Sequence, residues 1–415
     1  GGRHLAPLVR DPAGRGLTRM PGVGDPKMLA RELMVRIFCT PHALRNRLAR
    51  PDGDTRHVTR ILVMRPDHLG DLLFATPTLD LIRQAFPTAY ITGVVGPWGR
   101  AMWEGNPNLD ALQVVPFPGI VERVGGAEPY RLLARSAEQI AEGRYDLGVT
   151  LRFDHWWGAA LMWAASVPRR WGYDTPGMRS WLTGRVPYMP GRHEVEQDLR
   201  LAHATIKAVG TIYTSPLEIN RAQGRPPLTP PNISAPPLDL LASWLSADAE
   251  KRVVIHPGTA GANKLWTIQG WAEVADRLVA DGCRVVLTGA PNEQTLCARI
   301  VQATSSKPLD LSGRTASISE LAWILDKAHM VLGVDSGPLH IADALGKRTL
   351  HLYGPSDERS WAPWGDPPLH RTLRAPGTYP TEILGVDVRQ IEGGPEMRAI
   401  TVEMVMQEIA QLRKA

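Results

Sequence analysis

Twice along this chain, short runs of aliphatic residues alternate with stretches of helical spacing, and a proline-loaded segment separates the two series. Parallel strands need crossovers, and helices serving as crossovers cover both faces of the sheet, so such strands read as continuous apolar runs. The first series predicts strands at Ile61–Met64 (ILVM), Tyr90–Val95, Ala111–Pro116 and Tyr145–Leu151. It also predicts a helix over Leu72–Phe86, bent at Pro77, and a closing helix over His193–Val209. The second predicts strands at Arg252–His256, Arg284–Thr288, near Leu309, at Met330–Val334 and at Thr349–Tyr353. Helices are expected over Ile268–Ala280, Glu293–Ala303, Ile318–Lys327 and Leu339–Leu345.

The chain therefore reads as α/β, with two Rossmann-like doubly wound domains. Its 415 residues exceed one compact core and suit two domains of ordinary size. The expected division is an N-terminal extension over 1–57, a first domain over 58–213, a linker over 214–237 and a second domain over 238–400. A last helix over 401–415 is expected to return to the first domain. Two such domains facing a central cleft place the default site in that cleft.

No run of 18 apolar residues occurs, and the opening GGRHLAPLVR lacks an apolar core of signal-peptide length. The expectation is a cytoplasmic chain. Within the extension, Pro26 to about Phe38 predicts a helix with Met28, Leu29, Leu33, Met34 and Ile37 on an apolar face, flanked by Lys27, Arg31 and Arg36. Such a helix either lies on an anionic membrane surface, which would put the chain at the inner face of the cytoplasmic membrane, or packs on its own domain. Cys39, Cys283 and Cys297 show no metal-ligand spacing and read as inert thiols. A net charge of +5 invites a nucleic-acid reading, but the basic residues are scattered without interleaved aromatics, so no nucleic-acid partner is expected. Lysine is scarce, eight residues among 47 basic ones, so each lysine in a loop merits a question.

The site is written most plainly in VLGVDSGPLHIADALG, residues 331–346. Asp335, Ser336 and Gly337 fall on the turn between a strand and a helix, where N–H groups and the helix dipole favour an anion. Gly337 allows close approach, Pro338 suits a first helical turn, and His340 lies one turn away. Three more loops follow strands on the same predicted edge. PGTAGANKLW carries Gly258, Thr259 and the rare Lys264; GAPNE places Glu293 where a carboxylate can accept ribose hydroxyls; a third precedes Ile318. Taken singly, each has an ordinary explanation as a cap or a solvated charge. Together they describe a nucleotide-diphosphate pocket. Neither GxGxxG nor GxxxxGK[ST] is present, which removes the usual dinucleotide and P-loop readings.

In the first domain the matching loop is PDHLGD, with Asp67, His68 and Asp71. An aspartate there can take a proton from an attacking hydroxyl only if burial raises its pKa from about 3.9. An N-cap aspartate explains Asp71 equally well when the loop stands alone. Further on, RFDHWW offers Phe153, Trp156 and Trp157, with Arg152, Asp154 and His155, as acceptor contacts alongside Asp67 and His68, and Arg169, Arg170 and Trp171 form a second group; core packing explains the tryptophans at least as well.

LGDLLFATPTLDLIRQAFPTAYITGVVG, HPGTAGANKLW, TGAPNE, LSGRTASISELAWIL and VDSGPLHIADALGKRTLHLYGPSD together resemble glycosyltransferase family 9, the ADP-heptose:lipopolysaccharide heptosyltransferases. The similarity runs in order from about Arg60 to Trp364, leaving out 1–57 and the proline-rich segment. It implies the GT-B fold and an inverting, metal-independent transfer from a nucleotide-diphosphate sugar, with no cofactor and no metal. By position it implies Asp71 as general base, Lys264 at the donor phosphates, Glu293 at the ribose, and Asp335, Ser336, Gly337 and His340 as the donor-binding turn. The acceptor implied is a cell-surface glycan or glycolipid such as lipopolysaccharide core. Another nucleotide-sugar donor, a protein acceptor, or a nucleotide-binding scaffold without turnover are the competing readings.

Overall fold

The computed structural model describes residues 8–10, 17–19, 26–48, 57–119, 125–210, 225–380 and 393–414. Residues 214–224, the first part of the expected linker, lie outside the described residues. Among the described residues the chain divides into two compact units, the first ending at residue 210 and the second beginning at 225.

The first unit holds a six-stranded sheet in the order β3-β2-β1-β4-β5-β6. Its strands are β1 (Arg60–Met64), β2 (Tyr90–Val95), β3 (Ala111–Val114), β4 (Leu147–Thr150), β5 (Arg169–Tyr173) and β6 (Gly184–Val186). Every pairing is parallel. The strand order reverses direction between β1 and β4, the point where open α/β sheets bind ligands. β5 and β6 have no counterpart in the sequence-based reading. They lie on the outer side of the sheet, where RRWGY and GRV need not form a continuous aliphatic run.

The expected helix at 72–86 is two helices, α2 (Leu69–Phe74) and α3 (Thr76–Ala85), sharing Ala75 as cap. Pro77 has no N–H to give a preceding turn, so it sits in the first turn of a new helix instead of bending the old one.

The N-terminal helix α1 spans Pro26–Leu48, ten residues past its expected end, and carries Pro41 inside it. Contacts with the first domain hold it beyond the proline. His42 Nδ1 lies 2.9 Å from Glu138, Ser166 donates to the carbonyl of Ala43, and Asn46 donates to that of Ala164. The buried residues of α1 are Val35 and Cys39, joined to the same core as Leu62, Met64 and Leu133. The expected apolar face is thus not the packed one, since Leu29, Leu33 and Ile37 are exposed.

The second unit repeats the plan in the order β9-β8-β7-β10-β11-β12, all parallel. Its strands are β7 (Arg252–His256), β8 (Arg284–Leu287), β9 (Leu309–Asp310), β10 (Met330–Val334), β11 (Arg348–Leu352) and β12 (His370–Leu373). The reversal here falls between β7 and β10. The first domain also holds α4 (Glu128–Glu142), α5 (Trp156–Ala164) and α6 (Glu194–Ala208), and the crossovers of the second include α7 (Ile268–Ala280), α8 (Gln294–Ala303), α9 (Ile318–Lys327) and α10 (Gly337–Ala344). Residues 225–237 pack on this domain, with Trp364 donating to the carbonyl of Pro226 and the Ser234 N–H donating to that of Ser319.

The terminal helix α11 (Val402–Leu412) does not return to the first domain as expected. Its buried Val405, Ile409 and Leu412 join the second-domain core with Leu350 and Leu373, and Arg371 pairs with Glu408. The helix covers β11 and β12 of its own sheet, beside the helix over Ile268–Ala280. Among the described residues no helix is long and apolar enough to cross a membrane.

Candidate active site

In the first domain the residues after β1 and β4 meet at the reversal point. Arg65, fully buried, is the centre of the group. Its guanidinium donates to Asp198 at 2.9 Å and Glu194 at 2.9 Å, and lies 3.2 Å from Asp67 and 3.6 Å from Asp71. Arg152 bridges the reversal by pairing with Asp67, and its Nε donates to Asp154 at 2.6 Å. The Tyr173 hydroxyl donates to Asp198, and that of Tyr188 donates to Glu194.

The two aspartates of PDHLGD separate electrostatically. Asp67 is buried, which by itself would raise its pKa, but Arg152 and Arg65 overcome that and hold it below the usual carboxylate range. Asp71 is pushed up to about 7, first by burial and then by the negative charge of Asp67 and Glu194, against the pull of Arg65. A carboxylate titrating near neutrality suits proton transfer. Nor is Asp71 an N-cap. His68 holds that position, and Asp71 is the third residue of α2.

Other expected residues fall elsewhere. His68 is exposed, its N–H donating to the Asp67 carboxylate at 2.9 Å. Trp157 is buried core, its indole donating to the carbonyl of Pro129. Trp156 lies under Arg31 of α1, 4.8 Å from the ring centre, and beside Tyr130. Arg170 donates to the carbonyls of Trp181 and Val167, so its guanidinium ties a turn of its own domain together instead of waiting for an acceptor. Arg65, Glu194 and Asp198 were missed. The sequence signal for the two acids is the acid-rich HEVEQD, which also reads as ordinary dipole complement at a helix start.

In the second domain the loops after β7 and β10 also meet at the reversal. Thr259 donates its hydroxyl to the carbonyl of Asp335 at 3.0 Å, and Lys264 Nζ lies 2.9 Å from the Asp335 carboxylate. The Ser356 hydroxyl donates to the same oxygen at 2.5 Å, and His340 Nε2 stands 3.5 Å from the other. Burial works against a charged Asp335, yet Lys264 and His340 hold its pKa well below the usual range. Burial likewise opposes charge on His340, but hydrogen bonds to Asp335 and Asp343 raise it to about 9.

Ser336 caps α10 by its backbone, but its side chain makes no capping bond. Its hydroxyl is buried without a hydrogen-bond partner. A serine at an N-cap ordinarily accepts from the helix, so this hydroxyl is left for something else. Gly337 and Pro338 form the first helical positions, as the sequence predicts.

Glu293 belongs to the same edge. It precedes α8, and its carboxylate accepts from the Ala290 N–H at 2.7 Å and lies 3.8 Å from His256 Nε2. Gly258 makes room for this carboxylate. A Cβ at 258 would sit 2.1 Å from Glu293 Cδ, so any side chain there requires the Glu293 carboxylate to swing aside. Loop 257–264 thereby touches Glu293 at one end and Asp335 at the other. Ile318 opens α9 after the edge strand β9, farther along the sheet.

Behind the helix start, Asp343 accepts from Thr349 at 2.6 Å and contacts His351 at 3.0 Å, His340 at 3.2 Å and His370 at 3.2 Å. The ligand atoms of His340, Asp343 and His351 are close enough together to hold a metal ion. As arranged they hydrogen-bond to one another, which fixes the His340 ring and its charge.

The family model described as glycosyltransferase family 9 (heptosyltransferase) matches residues 133–374, more than half of the chain. Lipopolysaccharide heptosyltransferase 3 of Escherichia coli is 26% identical over 312 residues, covering 72% of this chain and 84% of that protein. A family 9 glycosyl transferase from Veillonella parvula superposes with a TM-score of 0.67 at 23% identity, over 86% of this chain and 98% of that one. The E. coli ADP-heptose lipopolysaccharide heptosyltransferase II gives 0.63 at 22%, over 86% and 99%. The two Rossmann-like domains are those of the GT-B class, and this chain belongs to glycosyltransferase family 9, the heptosyltransferases.

Proposed function

We propose that this chain moves heptose from ADP-heptose onto a lipopolysaccharide-core type of glycan, by a single inverting displacement that needs no metal. The observation that carries the donor half is the orphaned Ser336 hydroxyl at the start of α10, beside the Lys264–Asp335 pair. An oxygen-rich anion at a helix start meets N–H groups, a hydroxyl donor and an ammonium together. Glu293, held at the other end of the loop, suits ribose hydroxyls. The named relative that transfers from ADP-heptose supports ADP as the nucleotide.

In this reading the acceptor oxygen bonds to the anomeric carbon as the bond from that carbon to the phosphate oxygen breaks. The acceptor proton passes to Asp71, and ADP leaves with the electron pair. Charge grows on the departing phosphate, where Lys264 and the α10 N-terminus stabilise it. Opposite-side attack inverts the anomeric centre.

Calorimetric titration with ADP, GDP, UDP and dTDP, with and without Mg²⁺, tests the donor assignment. Selective binding of ADP that is unchanged by Mg²⁺ is expected. Preference for another nucleotide would overturn the heptose donor, and ADP binding only with Mg²⁺ would overturn metal independence.

A further inference from the structure

Helix α1 has one face buried in the first domain and another that is apolar and open. Leu29, Leu33, Ile37, Leu44 and Leu48 are 54%, 59%, 58%, 56% and 86% exposed. Their spacings of four, four, seven and four residues put them on a single stripe along the helix. Exposing five large aliphatic side chains in a row is not what a surface helix of a freely soluble domain does.

The borders of the stripe are basic. At 3.6 residues per turn, Lys27 and Arg45 fall on one flank and Arg36 and Arg47 on the other, each within roughly a quarter turn or so of its centre. Within α1, Lys27, Arg31, Arg36, Arg45 and Arg47 stand against the single acid Glu32. Arg36 pairs with Glu32 and Arg45 with Glu138, which leaves the rim basic overall.

We propose that this stripe docks on the surface of an anionic phospholipid membrane, with α1 lying in the headgroup layer and the domain held beside it. The leucines and Ile37 enter the acyl boundary, and the net positive charge of the rim faces the phosphates. The same charge pattern argues against a second copy of this chain. A two-fold contact through the stripe would bring basic rim onto basic rim. Packing of the opposite face through Val35 and Cys39, and of Arg31 and Arg36 over Trp156, Trp163 and Trp181, holds α1 as a fixed part of the domain. The stripe is therefore presented ready-made, so no folding cost accompanies docking.

The test is sedimentation of the full chain with phosphatidylcholine vesicles and with vesicles containing about one-third phosphatidylglycerol. Binding to the anionic vesicles only, weakened by salt, is expected. Leu33→Glu/Ile37→Glu should lower partitioning roughly tenfold or more with the melting temperature unchanged. Leu44→Glu/Leu48→Glu, at the helix end, should do the same and guards against misfolding of the first variant. Absence of binding to anionic vesicles, or equal binding by both variants, would overturn the proposal. So would a dimer in sedimentation velocity that either variant abolishes. Vesicle binding is read without any sugar transfer, so its failure is distinct from failure of the proposed reaction.

Discussion

Lys264 Nζ lies 2.9 Å from the carboxylate of Asp335, joining two loops that leave adjacent strands at the point where the sheet order reverses. The pair does two things at once. It keeps an ammonium at the start of α10, and it neutralises an aspartate that would otherwise repel a diphosphate from that helix start.

Lys264→Ala tests the ammonium. A cation about 4 Å from growing phosphate charge, at an effective dielectric near 20, is worth up to roughly 4 kcal/mol. Turnover should fall about a hundred- to a thousandfold. Stability should fall far less than activity, since Ser356 and His340 still serve Asp335. Steady-state kinetics with a melting curve checks both; near-normal turnover removes Lys264 from the donor site.

Asp71 predicts the pH profile. With its pKa raised to about 7, the base is charged only above that value, so kcat/KM should rise with pH through about 7 and then level. Asp71→Asn should lower kcat by about a hundred- to ten-thousandfold with little change in KM. Asp67→Asn removes one of the charges that raise Asp71, so it should move the acid limb to lower pH. An unshifted limb would mean that the limb belongs to another group.

Gly258→Ala places a methyl group on the Glu293 carboxylate. The flexible Glu293 side chain gives way, and its carboxylate is drawn from the place where it accepts from the Ala290 N–H. Donor KM should rise at least about tenfold while the pH profile stays as in the parent. Glu293→Gln leaves the space intact and should weaken donor binding less. Equal effects of the two variants would show that the steric argument is wrong.

His340 gives a stability signature. Its folded pKa, about 9, exceeds the ordinary 6.5, so its charge contributes stability fully below about 6.5. That contribution fades as pH rises through 9. Asp343→Asn removes one hydrogen-bonded anion from His340 and should lower the melting temperature at pH 6 more than at pH 10. A variant whose loss is the same at both pH values would exclude a charged His340.

Elements whose signal is local were legible from sequence alone. Met330–Val334 is apolar throughout and Asp335 to His340 follows within one turn, so strand, turn and anion address are all written in neighbouring residues. Arg169–Tyr173 and His370–Leu373 were not legible, because outer strands tolerate arginine and histidine where central ones need aliphatics. The Arg65 cluster is the deepest gap. Its partners Glu194 and Asp198 lie 129 and 133 residues away, and no periodicity reports a pairing across that distance. Asp343 lies near its partners in sequence, but they come from three successive elements, α10, β11 and β12, and the periodicity of no single element reports their meeting. The burial that Asp71 needs was foreseen, but the carboxylates that share in raising it were not.

The most direct measurement is incubation of the purified chain with ADP-heptose and a lipopolysaccharide-core acceptor in EDTA, followed by mass spectrometry and NMR of the product. The account predicts one added heptose of inverted anomeric configuration, equimolar ADP, and loss of product in Asp71→Asn. A retained anomeric configuration, or transfer that stops in EDTA, would contradict it.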